Sequence, residues 1–254
     1  MRLKSGIVGL CLLGFSLSVS ANKVAIIIDD IGYRHTDREA VLLDGKISVA
    51  VLPHTPFGRE LAVLAHKTQK DVLLHIPMEA SNGKRLGPGG LTSNMRRQEL
   101  NAILTSALMD IPFARGVNNH MGSKLTQLST HMRWTMDFLK QHQLYFLDSK
   151  TTPMSVAGDV ARQHGVATLS RHIFLDHFAT PSFIHKQFQK IKRTARYRKQ
   201  LIVIGHPYPE TIAYLQKHLW ELEANGIDLV GLESLVPDSI DGIRLAARNT
   251  AQEE

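Results

Sequence analysis

The apolar residues of this chain fall into short runs that alternate with longer stretches of helical periodicity. Six runs have the near-continuous apolar character of strands buried on both faces: 24–28, 47–52, 72–76, 144–147, 201–204 and 228–232. Two weaker strand candidates lie near 116–118 and 166–169. Runs of this kind favour a parallel sheet, because parallel strands are usually covered on both sides.

Between these runs, apolar residues recur every three or four positions, as on the buried face of a helix. The four clearest stripes are Leu100, Ile103, Leu104, Ala107 and Leu108; Met132, Met136 and Leu139; Ile184, Phe188, Ile191 and Ala195; and Ile212, Leu215, Leu219 and Leu222. The alternation predicts an α/β fold. A count of about seven or eight strands suits a distorted (β/α) barrel as well as an open sheet.

Residues 1–21 have the pattern of a secretory signal peptide, with positive charges, an apolar stretch and the small–x–small sequence Val19-Ser20-Ala21. We expect cleavage before Asn22 and an exported protein, periplasmic or secreted, without a membrane span. The alternative is an uncleaved anchor, although the apolar stretch is shorter than the roughly 20 residues of a spanning helix. The mature chain is predicted to comprise one domain over 22–243 and a polar tail over 244–254.

The composition fits a folded, mildly basic exported protein. The chain has 254 residues, 43% of them hydrophobic, which is enough for a sizeable core. Loss of Arg2 and Lys4 with the leader lowers the formal charge from +7 to +5, which suits an anionic envelope polymer. We find no nucleic-acid-binding motif. Cys11, the single cysteine, lies in the leader, so the mature chain has neither disulfides nor thiolate metal ligands.

Polar side chains collect where the predicted strands end. Five strand ends carry them: Asp29-Asp30; His75, with Glu79 four residues later; Asn118-Asn119-His120; Asp148-Ser149-Lys150; and His206-Pro207. The carboxyl ends of parallel strands meet at one edge, where the active sites of α/β folds lie. We therefore expect these groups to line one cavity.

The adjacent Asp29 and Asp30 suggest a division of labour. Successive strand residues point to opposite faces, so both carboxylates reach one cavity only where the backbone turns. One can then bind a cation while the other moves a proton. Histidines and a carboxylate suit a zinc-like divalent ion with a water in its open position. In that scheme metal-bound water is the nucleophile, Asp29 accepts its proton and His206 protonates the leaving group.

Each of these groups also has a structural interpretation. Asp29-Asp30 can cap a following helix, and His75 can be a hydrogen-bonded core histidine. Asn118-Asn119 can form a turn, and His206-Pro207 can open a helix.

Other polar features are assigned no role in the site. His54 and His172 also follow apolar runs and are reserve candidates. The seven Lys and Arg residues between 186 and 199 fit a solvated helix face better than a contact with an anionic polymer.

Taken together, the strand-end motifs resemble those of the divergent polysaccharide deacetylase family, which is related to the carbohydrate-esterase deacetylases. The resemblance spans 24 to about 235 and is carried by Ile27-Ile-Asp29-Asp30-Ile-Gly32, Leu74-His75-Ile-Pro-Met-Glu79, Gly116-Val-Asn-Asn-His120-Met-Gly122-Ser123, Leu147-Asp148-Ser149-Lys150-Thr151 and Ile204-Gly205-His206-Pro207. It implies a distorted (β/α) barrel and metal-assisted hydrolysis of N-acetyl groups.

The resemblance also implies residue roles. Asp29 matches the catalytic base, Asp30 a metal ligand and His206 the acid. His75 matches the first of two histidines spaced four apart in the related enzymes, and Glu79 occupies the second position.

A second histidine ligand is then expected from elsewhere, and His120 lies where it can supply one. The predicted ligand set is Asp30, His75 and His120, holding a divalent cation, preferably zinc. The further candidates, for contacts with the ligands or the substrate, are Glu79, Asn119, Asp148 and Ser149.

The expected function is metal-dependent removal of N-acetyl groups from an envelope or extracellular polysaccharide. The first alternative, favoured by Glu79, is a catalytically inactive protein of the same fold that binds a glycan or a partner protein. The second is a phosphatase of the haloacid-dehalogenase type, which also places an aspartate after its first strand. That chemistry uses Asp-x-Asp, whereas Asp29 and Asp30 are adjacent.

Overall fold

The computed structural model describes residues 22–237, which form an α/β fold around a nine-stranded parallel sheet. The strands are β1 (Asn22–Ile31), β2 (Ser48–Val51), β3 (Val72–Met78), β4 (Gly116–Met121), β5 (Tyr145–Asp148), β6 (Thr168–Ser170), β7 (Ile173–Phe174), β8 (Gln200–Gly205) and β9 (Ile227–Leu229). Their order is β6-β5-β4-β3-β2-β1-β8-β7, and β9 pairs with β1. The sheet curls into a half-barrel, which confirms the predicted distorted (β/α) barrel.

Helices follow most of the strands, as the alternating pattern predicts. They are α1 (Arg38–Val41), α2 (Gly58–Lys67), α3 (Arg97–Asp110), α4 (Ser129–Gln141), α5 (Ala157–Gln163), α6 (Pro181–Ala195), α7 (Pro209–His218) and α8 (Trp220–Ala224). Short 3₁₀ turns lie at His35–Asp37, Leu125–Gln127 and Leu232–Leu235. On α6, for example, the four residues of the apolar stripe are fully buried and belong to the larger core: Ile184, Phe188, Ile191 and Ala195.

Two separate apolar cores lie on the two faces of the sheet. Along β1, Val24, Ile26 and Ile28 join the larger core, which lies between the sheet and the helices. The intervening Ala25 and Ile27 join a smaller core with residues of β2, β3, β5 and β8. This alternation follows from the period of two in a strand, and it places the smaller core inside the curl of the sheet.

The strand boundaries differ from the predicted ones mainly at the carboxyl ends. β1 continues to Ile31 and β4 to Met121, so the polar residues lie within the strands rather than after them. β7 has two residues and was not predicted, because a pair of apolar residues carries no periodic signal. β6 and β7 are the two edge strands in this order.

The predicted leader over 1–21 lies outside the described residues, as do the whole of the predicted polar tail over 244–254 and the last residues of the predicted domain. The described part of the chain ends at residue 237, shortly after the last 3₁₀ turn. Between residues 22 and 237, no helix is both long enough and apolar enough to cross a membrane.

Candidate active site

The two aspartates of β1 face the same cavity because the strand is distorted at its end. Asp29 continues the inward register of Ala25 and Ile27, whereas Asp30 by alternation would point outward. Asp30 instead adopts a left-handed backbone conformation, with φ of 60°, and the pairing with β2 shifts register between Ile28 and Ile31. This local irregularity turns both carboxylates toward His75 of β3.

Asp30, His75 and His120 form a compact group of metal-ligating atoms. The Asp30 Oδ1 atom lies 3.1 Å from His75 Nε2 and 2.7 Å from His120 Nδ1. One ligand atom from each residue lies within 4.8 Å of the other two. Two imidazole nitrogens and one carboxylate oxygen are a donor set that suits zinc and similar divalent ions. The residues therefore fit the cation that the sequence predicts.

Asn118 on β4 connects this group to Asp29. Its side-chain NH₂ donates to Asp29 Oδ1 at 2.9 Å, so its carbonyl Oδ1 is the atom that faces His75 Nδ1 at 2.8 Å. That carbonyl can only accept, so Nδ1 of His75 carries a proton, and Nε2 would bind a metal after losing its own proton. The sequence placed Asn118 in a polar strand-end group but gave it no role of its own, so its contacts with His75 and Asp29 were not predicted.

The environment shifts the pKa values of the paired aspartates in opposite directions. Burial raises the pKa of Asp29 and outweighs the opposing effects of His75, His206 and the Asn118 hydrogen bond. Burial acts in the same sense on Asp30, but hydrogen bonds from His120 and His75 hold its pKa well below the usual value. Two carboxyl groups with divergent pKa values are a recurrent arrangement for separate chemical roles.

His206 follows β8 and is held by a buried aspartate that the sequence analysis missed. Asp176 Oδ1 lies 2.8 Å from His206 Nδ1, and Asp176 Oδ2 accepts from the His206 backbone N–H at 2.6 Å. The Thr211 hydroxyl also donates to Asp176, at 2.8 Å. Burial alone would lower the pKa of His206, but the hydrogen bond and charge of Asp176 raise it to about 9. The signal was a strand-end Asp after the short run Ile173-Phe174-Leu175.

Aromatic side chains surround this histidine. The Phe174 ring lies 5.9 Å from the His206 ring at an interplanar angle of 22°, and the Tyr208 ring lies 5.5 Å from it. Both rings are at the carboxyl edge of the sheet, beside the polar groups.

Glu79 lies outside the group formed by Asp30, His75 and His120. Its carboxylate binds the Lys124 ammonium at 2.6 Å and accepts from the Ser93 backbone N–H at 2.6 Å. The Lys124 hydrogen bond is the largest cause that lowers the pKa of Glu79 to about 2. The carboxylate thus secures the loop after β3 to the segment after β4.

The remaining candidates shape the cavity rather than complete the ligand set. Asn119 accepts from the Ser149 backbone N–H at 3.0 Å and donates to the Met121 carbonyl at 2.7 Å. Buried Asp148 accepts from the Ser155 hydroxyl at 2.8 Å and from the Lys150 backbone N–H at 2.9 Å. Both residues fix the segments that carry His120 and Ser149.

The structural alternatives can be compared with the observed contacts. The turn after β1 is closed by Asp37, which accepts from the backbone N–H groups of Gly32 and Arg34, so Asp29 and Asp30 are not its caps. Both reserve histidines make contacts elsewhere: the His54 backbone N–H binds Asp110, and His172 Nδ1 accepts from the Ile202 N–H.

Comparison with known proteins shows the family of this chain. A protein-family model described as divergent polysaccharide deacetylase matches residues 26–236. The chain belongs to the divergent polysaccharide deacetylase family. The uncharacterized protein YibQ of Escherichia coli (strain K12) is 39% identical over 226 residues, covering 89% of this chain and 70% of that protein. The family assignment confirms the resemblance and leaves the phosphatase alternative without support.

Solved structures show the same fold. The uncharacterized protein ATU2773 from Agrobacterium tumefaciens C58 has a TM-score of 0.82 at 23% identity, covering 86% of this chain and 91% of that one. BA3943 from Bacillus anthracis, described as a CE4 family pseudoenzyme, has a TM-score of 0.55 at 11% identity, covering 85% and 66%. At these identities the likeness concerns the fold alone, so the fold of the family does not by itself decide activity.

Proposed function

We propose that this member of the family is a metal-dependent hydrolase that removes N-acetyl groups from an envelope or extracellular polysaccharide. The observation that carries the proposal is the convergence of Asp30, His75 and His120, with Asp29 and His206 beside them. Three possible metal ligands, a possible base and a possible acid come from β1, β3, β4 and the end of β8 and lie at one edge of the sheet. An arrangement of this kind is typical of an active site.

Three side chains would bind the cation, and Asn118 would hold two neighbouring side chains in position. Asp30, His75 and His120 would hold the cation, and zinc suits their donors best. Asn118 holds His75 with Nε2 toward the ion and keeps Asp29 in place. A bound cation supplies Lewis acidity, both to a water molecule and to the carbonyl of the acetyl group.

Two residues of the chain move the protons. Asp29 Oδ2 lies 3.6 Å from His75 Nε2, so its carboxylate is beside the ligand group and can accept a proton from water there. His206 binds Asp176 through Nδ1, which leaves Nε2 to donate a proton to the departing amine. Asp176 holds the imidazole in this orientation and stabilises its protonated form.

A catalytically inactive, glycan-binding protein remains the second candidate. The observation that favours it is Glu79, which replaces a histidine of the related enzymes and is engaged with Lys124. In the first candidate, His120 takes over the position of the missing imidazole.

Acetate release separates the two candidates. The chain from Asn22 onward, loaded with zinc, is expected to release acetate from N-acetylated oligosaccharides, and a chelator should abolish release. Asp29→Asn should lower the rate about 100-fold or more, since a positioned base contributes on that order. Asp159→Asn is the matched control, because Asp159 pairs with Arg162 on the exposed surface of α5. Zinc-loaded protein that releases no acetate from any such glycan would support the binding protein instead.

Export is part of the same proposal and has its own test. The leader pattern over 1–21 predicts that cleavage exposes Asn22. Mass spectrometry of the chain recovered from the periplasm or medium should give a mature protein that begins at Asn22. A full-length chain retained in the membrane fraction would show an uncleaved anchor.

A further inference from the structure

Arg171 is a fixed cation at the edge of the candidate active site. It directly follows β6, at the same edge as the polar strand ends. Its Nε donates to the Ser149 carbonyl at 2.7 Å, and Nη2 donates to the Lys150 carbonyl at 2.8 Å. The guanidinium carbon lies 3.7 Å from the centre of the Phe174 ring, which neighbours His206. The side chain is therefore held in one position beside the acid.

No carboxylate of residues 22–237 forms an ion pair with this guanidinium, whereas the other basic side chains nearby each lie against a carboxylate. Lys150 lies 3.3 Å from Asp148, and His206 lies 2.8 Å from Asp176. The imidazoles of His75 and His120 share the Asp30 carboxylate. The contacts of Arg171 are two carbonyls and an aromatic face, none of which carries a formal charge.

Such an arrangement is costly unless an anion completes it. Arg171 is partly buried, and burial lowers its pKa in opposition to the nearby charges of Asp148 and Asp29. Removing a charge from water without a counter-ion is unfavourable. A guanidinium has five N–H groups, and the two hydrogen bonds leave the others available. Its fork matches both oxygens of a carboxylate.

We propose that Arg171 binds a carboxylate of the substrate, so that the glycan is an N-acetylated polymer in which neighbouring sugars carry carboxyl groups. The inference rests on the proposed function of the site and specifies its substrate class. Phe174 packs against the guanidinium and holds it beside His206, and the acetylated sugar lies at Asp29 and the ligand group. The carboxylate-bearing sugar is thus adjacent to the one that reacts.

Paired oligosaccharides test this inference. Hyaluronan hexasaccharide alternates N-acetylglucosamine with glucuronate, and chitohexaose contains N-acetylglucosamine alone. Binding of both to zinc-loaded Asp29→Asn protein is measured by calorimetry, since this variant should leave them intact. We expect tighter binding of hyaluronan hexasaccharide. Adding Arg171→Met should weaken that binding at least about tenfold, in line with loss of a charged hydrogen-bonded pair, and leave chitohexaose binding unchanged.

Two further variants control for general effects. Arg171→Lys keeps the charge but not the fork, so it should restore only part of the hyaluronan affinity. Arg193→Met removes an exposed cation of α6 and should change neither affinity. Thermal unfolding of each variant shows whether the fold is retained. The inference is overturned if hyaluronan hexasaccharide does not bind, if it binds no tighter than chitohexaose, or if Arg171→Met weakens both ligands equally.

The outcome is separable from that of the proposed hydrolase activity. If hyaluronan binding depends on Arg171 but no acetate is released, the carboxylate-binding site is supported and the hydrolase proposal is wrong. Acetate release from chitohexaose, with no preference for hyaluronan, would retain the hydrolase and reject the carboxylate site.

Discussion

Replacing Asp176 by asparagine should return His206 to the behaviour of an ordinary buried imidazole. The pKa of His206 is raised from 6.5 to about 9, against an opposing effect of burial, chiefly by the hydrogen bond and charge of Asp176. Each pKa unit corresponds to about 1.4 kcal/mol, so the pair stabilises the protonated histidine by about 3 kcal/mol. Asp176→Asn keeps a side chain of similar shape and removes the charge. We expect the pKa of His206 to fall by about two units.

The sign of the stability change follows from the direction of this shift. A raised pKa stabilises the folded state fully below about pH 6.5, and the stabilisation is lost as pH rises through the folded value of about 9. Asp176→Asn should therefore destabilise the protein by about 3 kcal/mol near pH 6 and by little above pH 9. Urea unfolding at the two pH values measures the difference.

The pKa itself is measured by NMR titration of the histidine ring signals in chelator-treated protein. Thr211→Val is the matched control, since it removes a hydroxyl donor to Asp176 but leaves the carboxylate charge. In that variant the pKa of His206 should stay raised. The reasoning is wrong if His206 still titrates near 9 in Asp176→Asn, or if the destabilisation is the same at both pH values.

Two further predictions concern the ligand group and the loop beside it. His120→Ala should lower zinc affinity by at least about tenfold in a competition titration with a chromophoric chelator, because it removes one of three ligands; unchanged affinity would remove His120 from the ligand set. Glu79→Gln should lower stability by about 1 kcal/mol at neutral pH, since its partner Lys124 is 46% exposed. The pKa of Glu79 is lowered to about 2, so this loss should shrink as pH falls from about 4.5 toward 2, which thermal unfolding can follow.

Much of the fold was predictable because the buried strands and helices have distinct periods. All eight predicted strand regions overlap observed strands, and the stripe on α6 is buried as expected. β7 was missed because two residues cannot display a period. Asp176 was missed with it, although it follows the same rule of a polar residue after an apolar run.

Candidate site residues were predictable as residue types, but their partners were not. The strand-end rule identified Asp29, Asp30, His75, His120 and His206, and the structure brings them to one edge. The same rule also included Glu79, whose carboxylate turns away to Lys124. A position near a strand end indicates which edge a residue occupies, whereas its contacts depend on neighbouring segments that are distant in sequence.

The sequence by itself determined a parallel α/β sheet with acidic and histidine side chains at its carboxyl edge, because hydrophobic periodicity and residue chemistry are local properties. Only the tertiary structure decided that Asp30 turns inward through a left-handed backbone and that Asn118 reaches Asp29 across 89 residues. It also decided that no carboxylate between residues 22 and 237 pairs with Arg171. These features arise from strand register and from the backbone irregularity at the end of β1. Both result from the packing of the whole sheet, so no short stretch of sequence encodes them.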